Sequence, residues 1–160
     1  MAQELKLVAQ DGDDLAVLSA TLQDAILRVG DMAFQPKRRR FAAVVNRFCW
    51  ESVAEVAGAT GSDGASRGLY ERARTGLHFD GVLAVRSWNI AQEKPDAILS
   101  LLAIEFVETT PPGGEVTLHF AGGGALRLTV ECIDAVLADL GGRWTTSNRP
   151  THETENDRPA

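Results

Sequence analysis

Leu102-Ala103-Ile104-Glu105-Phe106, Val116-Thr117-Leu118-His119-Phe120 and Leu126-Arg127-Leu128-Thr129-Val130 decide the fold of this chain. In each run an apolar side chain alternates with a small or polar one, the period of two that a half-buried strand produces. Thr109-Thr110-Pro111-Pro112-Gly113-Gly114 separates the first two runs and Gly122-Gly123-Gly124 the last two; both supply the fixed or positive φ values that a chain reversal needs. If Phe120 faces the same side as Leu126, Leu118 pairs with Leu128 and Val116 with Val130, which sets His119 beside Arg127 and Thr117 beside Thr129 on the other face. Downstream, Ile133, Val136, Leu137 and Leu140 fall at i, i+3, i+4 and i+7, with Gly141 where a helix stops. The expected unit is a meander closed by a C-terminal amphipathic helix. It specifies a fold and names no chemistry.

Composition sets the outer bounds. A chain of 160 residues with 44% hydrophobic and 24% charged side chains suits one globular domain with a single core. A net charge of −6 argues against a nucleic-acid binder, whose phosphate contacts require a basic excess. No apolar run approaches the roughly 18 residues of a membrane helix, and Met1 to Lys6 lack a signal-peptide pattern, so a cytoplasmic protein without membrane contact is expected. Cys49 and Cys132 are too few for a disulfide framework and read as small buried hydrophobes.

Working outward, Leu5 to Ala9 reads as a first strand, and Leu15, Leu18, Leu22 and Ile26 mark a helix over about Gly12 to Asp24. Ala25 to Phe34 and Arg39 to Trp50 read as two strands about the turn Gln35-Pro36-Lys37-Arg38. In the second, Phe41, Ala43, Val45 and Cys49 share one face with Arg47. The pattern breaks from Ser52 to Thr75, where residues 57–68 read as a flexible loop. Gly76 to Asn89 reads as one strand kinked at Asp80-Gly81. Residues 1–144 thus form one α+β domain, mostly antiparallel sheet with an N-terminal and a C-terminal helix, and 145–160 a polar, disordered tail. Asp24-Ala25-Ile26-Leu27 recurs as Asp96-Ala97-Ile98-Leu99, an echo too short to establish duplication.

Leu5-Lys6-Leu7, Leu22-Gln23-Asp24-Ala25, Asn46-Arg47-Phe48, Leu99 to Ile104, Val130 to Ile133 and Leu137 to Gly141 together resemble a bacterial domain-of-unknown-function family common in alphaproteobacteria. The resemblance runs from about Leu5 to Trp144. It implies no assigned activity, cofactor or catalytic residue; members of that family tend to be encoded near histidinol dehydrogenase, which implies a housekeeping context. At the level of fold alone, strands ending in a long amphipathic helix are similar to a pleckstrin-homology-like barrel, with Phe79 to Val85 resembling its central strand, though the early helix departs from that pattern.

The chain contains no phosphate-binding loop, dinucleotide fingerprint, nucleophile elbow or zinc-protease helix. Cys49, His78, His119 and Cys132 are the side chains suited to zinc, but none forms a close pair, so neither a metal nor another cofactor is expected. The sharpest local feature is Lys37-Arg38-Arg39-Arg40 at a hairpin tip, with Arg47, Arg67, Arg72 and Arg74 in the same half. Such a tip suits a phosphate, RNA or an acidic protein partner, and it equally suits a solubilising turn that guards a strand edge. His78, His119 and Arg127 complete the candidate binding residues, placed on the polar side of the sheet; no residue is assigned a catalytic role. The leading expectation is a non-catalytic binding or protein-interaction domain. Its rivals are a small-molecule-binding protein or enzyme with a pocket between sheet and C-terminal helix, and RNA or phosphate binding at the basic tip. Oligomeric state is not fixed by the sequence.

Overall fold

The computed structural model describes residues 4–49 and 70–146. The first elements are strand β1 (Lys6–Ala9) and helix α1 (Gly12–Thr21). Asp11 caps α1, its carboxylate accepting from the Asp14 N–H at 2.8 Å, while Asp14 accepts in return from the Gln10 N–H at 3.0 Å. This reciprocal pairing satisfies amides that would otherwise lack partners at the helix start. Leu15, Leu18 and Leu22 form the buried stripe. The helix ends at Thr21, three residues before the expected Asp24, because Asp24 takes φ 66° and its N–H bonds to Leu101 O across the sheet.

β2 (Ile26–Arg28), β3 (Met32–Gln35) and β4 (Arg40–Phe48) follow; a 3-10 turn at Val29–Asp31 splits the single strand expected over Ala25 to Phe34. β5 (Tyr70–Asp80) and β6 (Val82–Trp88) are two strands rather than one kinked strand, since β5 pairs with β4 and β10 and β6 pairs with β9. Gly81, at φ 72°, is the single residue between them. β7 (Ile98–Glu108), β8 (Gly114–Phe120) and β9 (Ala125–Val130) form the expected meander, and β10 (Ala135–Thr146) closes the described chain. The expected loop at 57–68, Trp50, and the tail beyond Thr146 lie outside the described residues.

The C-terminal helix expected over Glu131 to Leu140 is absent: the segment bends at Glu131–Cys132 and then runs as β10 between β1 and β5. Its inward residues are Ala135, Leu137 and Asp139, with Val136, Ala138 and Leu140 facing out. Apolar residues on both sides of this strand happened to coincide with a helical spacing. Among the described residues the strands run in the order β1-β10-β5-β4-β2-β7-β8-β9-β6, with β3 on β4. That path ends at β1 and β6, so the antiparallel sheet is open and does not close into the barrel expected by analogy.

The meander register also differs from expectation. Leu118 pairs with Leu126, Val116 with Leu128 and Gly114 with Val130, two residues from the predicted pairing, which keeps every side chain on its face and moves Arg127 beside Thr117 rather than His119. In β7 an extra residue lies between Leu101 and Ala103. Leu101 before it and Ile104 after it both point inward, and Leu102, expected inside, is left 46% exposed. The irregularity is tied down by Ser19 of α1, whose hydroxyl accepts from the Ile104 N–H at 2.9 Å. The repeated tetrapeptides meet only at their last residues: Leu27 pairs with Leu99, whereas Ile26 faces Ser100 and Arg28 faces Ile98 in antiparallel register.

One core joins both halves of the sheet, with Leu15 and Leu18 of α1 and Leu22 just past its end against Phe41, Val45, Leu77, Phe79, Leu118, Leu128 and Leu137. At the β7–β8 reversal, a Cβ on Gly114 would overlap Val107 O and come to 2.8 Å from the Phe106 ring. Backbone cannot yield as a flexible side chain can. Gly114→Ala is therefore expected to lower unfolding free energy by about 2–3 kcal/mol in urea titration, the scale of an overpacked core.

Candidate functional site

The residues singled out from the sequence occupy three separate places. The first is the β3–β4 tip. Lys37 and Arg38 sit exposed on a 3-10 turn (Pro36–Arg38) and Arg39 takes the left-handed conformation. Arg39 pairs with Glu131 at 3.0 Å, and Arg40 forks onto Asp80 at 2.8 and 3.3 Å. His78 Nε2 lies 3.5 Å from the same Asp80 carboxylate. Half of the four-cation run is thus neutralised, leaving Lys37 and Arg38 without an ion pair among the described residues. The exposed Arg39–Glu131 pair contributes little stability, while the Arg40–Asp80 fork is half-buried.

Arg47 is not on that basic surface. Its side chain is fully buried and forks onto Asp139, Nε to Oδ1 at 2.9 Å and Nη2 to Oδ2 at 3.0 Å. Thr75 Oγ1 donates to Oδ1 at 2.9 Å and the Leu5 N–H to Oδ2 at 2.9 Å, so β4, β5, β10 and the residue leading into β1 all converge on one carboxylate. Burial pushes the Asp139 carboxyl up, but the Arg47, Leu5 and Thr75 hydrogen bonds outweigh it and hold the carboxyl below its ordinary value. Sequence reading missed Asp139 and Thr75. The available signal was Arg47 on a strand face otherwise made of Phe41, Ala43, Val45 and Cys49, a position that demands a buried anion.

The third place is the outer face of the meander. Across β6, β9, β8 and β7 it presents a row of Trp88, Ala125, His119 and Ala103, then Arg86, Arg127, Thr117 and Glu105, then Ala84, Thr129, Glu115 and Val107. His119 Nε2 is 3.0 Å from Glu105 Oε1. Arg127 lies over the Trp88 ring at 4.9 Å and reaches Glu115 at 3.7 Å, and its Nε is buried without a hydrogen-bond partner. Trp88 is 41% exposed. Arg86, also exposed, stands directly opposite Arg127, a like-charge pairing that disfavours the bare face. β6 is the terminal strand here: among the described residues it pairs only with β9, and Leu83, Ala84, Arg86 and Trp88 are exposed along it.

His78 and His119 lie on different halves of the sheet, each beside a carboxylate, and no group of three or more metal-ligating side chains gathers among the described residues. No described helix is long and apolar enough to cross a membrane.

Fold and surface together define a single-sheet α+β protein whose distinctive features are a buried charge cluster and an open, partly basic sheet edge. The chain belongs to the DUF2948 family of proteins of unknown function, whose family model matches residues 5–152. Neither comparison with curated proteins nor comparison with solved structures gave a match.

The buried pair gives a directional test. Because the folded carboxyl of Asp139 is lowered, its contribution to stability is complete above the ordinary carboxyl value of 3.8 and is lost as pH falls through the folded value. Asp139→Asn should flatten the acid limb of the stability–pH profile. Arg47→Met or Asp139→Leu alone should cost about 3–5 kcal/mol by leaving a buried charge, and the double variant should recover most of it, measured by urea unfolding as a double-mutant cycle.

Proposed function

We propose that this protein is a non-catalytic interaction domain that receives an extended, acidic segment of a partner protein along the edge of β6. The carrying observation is that open edge itself, running from exposed Leu83 to Trp88 beyond the Val82 N–H, which is already bonded to Arg39 O. An unpaired edge offers a row of backbone donors and acceptors that a partner strand can complete, with side-chain contacts supplying selectivity. Charge favours an acidic partner: a carboxylate between Arg86 and Arg127 relieves the repulsion of that pair and offers an acceptor to the unpartnered Arg127 Nε. Arg86 is the only charged residue in β6, and pairing of two β6 edges about their centres would bring the two Arg86 side chains together. A second copy of this chain is therefore the poorer occupant.

The rival pocket beneath a C-terminal helix loses its lid, since that segment is β10. Binding at the β3–β4 tip is weakened by the pairing of Arg39 and Arg40 with Glu131 and Asp80.

A photo-crosslinking amino acid placed at Leu83 should capture a partner whose crosslinked peptide, sequenced by mass spectrometry, is extended and acidic. The same probe at exposed Val17 on α1 should not. Arg86→Glu should cut the Leu83 yield at least fivefold without lowering the melting temperature. Equal capture at both positions, or yield unaffected by Arg86→Glu, rejects the edge as the site.

A further inference from the structure

On the other half of the molecule, the outward side of β4 and β5 carries Asn46, Arg72 and Arg74. Asn46 pairs with Arg74 across the two strands, and Phe48 with Arg72. Arg72 is 1% exposed, yet its Nε and Nη2 have no hydrogen-bond partner; Nη1 alone reaches Asn46 O, at 3.4 Å. Arg74 is exposed and Asn46 half-buried, and neither side chain has a hydrogen bond or ion pair among the described residues.

A guanidinium cannot shed its proton to escape burial, so an unpaired one carries a full desolvation cost. Nε–H and Nη2–H also form one edge of the guanidinium, the pair of parallel donors that grips two oxygens of a phosphate or carboxylate at once. Arg47, buried in the same two-strand layer, uses that very edge on Asp139. Arg72 has the same edge with nothing on it. With Arg74 two residues along the same face, the local charge is that of two guanidiniums, which matches the −1.5 to −2 or so of a phosphate monoester near pH 7.

We infer that Arg72, with Arg74 and the Asn46 amide, binds a dianionic phosphate group, either the free ion or a small phosphate monoester. Arg72 grips two oxygens through Nε and Nη2, Arg74 screens the remaining charge from the solvent side, and the Asn46 NH2 supplies a further donor. The site lies apart from the β6 edge and does not depend on the reading of that edge.

Differential scanning fluorimetry of the full chain in inorganic phosphate against chloride, at fixed pH and ionic strength, tests the assignment. The native protein should show a saturable rise in melting temperature with millimolar phosphate, as a ligand of the folded state alone requires. Arg72→Met should abolish the rise while leaving the melting temperature in chloride no lower, because an unpaired buried charge has been removed. Arg72→Lys, which keeps charge and most of the volume, guards against a folding failure and should weaken phosphate at least tenfold. Arg74→Met should weaken it severalfold, and Arg86→Glu should leave it unchanged. Glycerol phosphate binding tighter than inorganic phosphate assigns the site to a monoester, and the reverse order assigns it to the free ion. Identical melting in phosphate and chloride, or a phosphate response that survives both Arg72 variants, overturns the assignment.

Discussion

The fork between Arg47 and Asp139 is the constraint around which the first half of the sheet is set. It reaches across β5 to join β4 and β10, which are not neighbours in the sheet, and Thr75 on the intervening strand closes the gap by donating to the same carboxylate. The Leu5 N–H adds the fourth bond and draws the chain entering β1 into the cluster. An apolar substitute of the same volume would fill the space, but it would fix nothing: a shift of one residue in β10 would turn Asp139 outward and bury Ala138 or Leu140 against a bare guanidinium. Registry, rather than raw stability, is what a buried ion pair of this kind supplies best.

The two halves of the sheet share a core and differ on their outward sides. On β1, β10, β5 and β4 that side carries Val8, Val136, Ala138, Leu140, Gly76, Ala42 and Val44, a mostly small or aliphatic surface interrupted by His78 between Val136 and Ala42 and by Asn46 and Arg74 further along. On the meander it carries His119, Glu105, Thr117, Arg127, Glu115 and Thr129, a polar lattice with one exposed tryptophan at its rim. The chain passes between these surfaces through β2, three residues long, and through the single residue Gly81. A protein with one core thus presents two chemically unlike faces.

Much of the architecture was readable from the chain, and the failures have identifiable causes. The meander announced itself because β8 and β9 each bury every second residue without interruption. α1 was legible from Leu15, Leu18 and Leu22, but its end was not, since the residue that stops it is Asp24 in a conformation that glycine more often supplies. β10 was misread as a helix because Val136 and Leu140, on its outer side, complete an i, i+3, i+4, i+7 set with Ile133 and Leu137; the Ala135, Leu137, Asp139 alternation carried the correct message. The extra residue at Leu102 breaks the period in the middle of an apolar run, where no polar neighbour marks the change. Of the site residues, His119 and Arg127 were placed on one face correctly, whereas Arg47 was assigned to the surface because its partner lies 92 positions further along the chain.

Beyond Asp139 the ladder between β10 and β5 resumes with Arg143 opposite Ala73, so four steps along one strand match two along its neighbour. The surplus is even, and an even surplus preserves the alternation of a strand, where a single extra residue would invert it. Leu140-Gly141-Gly142 is therefore a place where the chain can gain or lose length in steps of two while Asp139 keeps its orientation. An odd change in length at that point would need a further irregularity to restore the phase, as the extra residue at Leu102 does in β7.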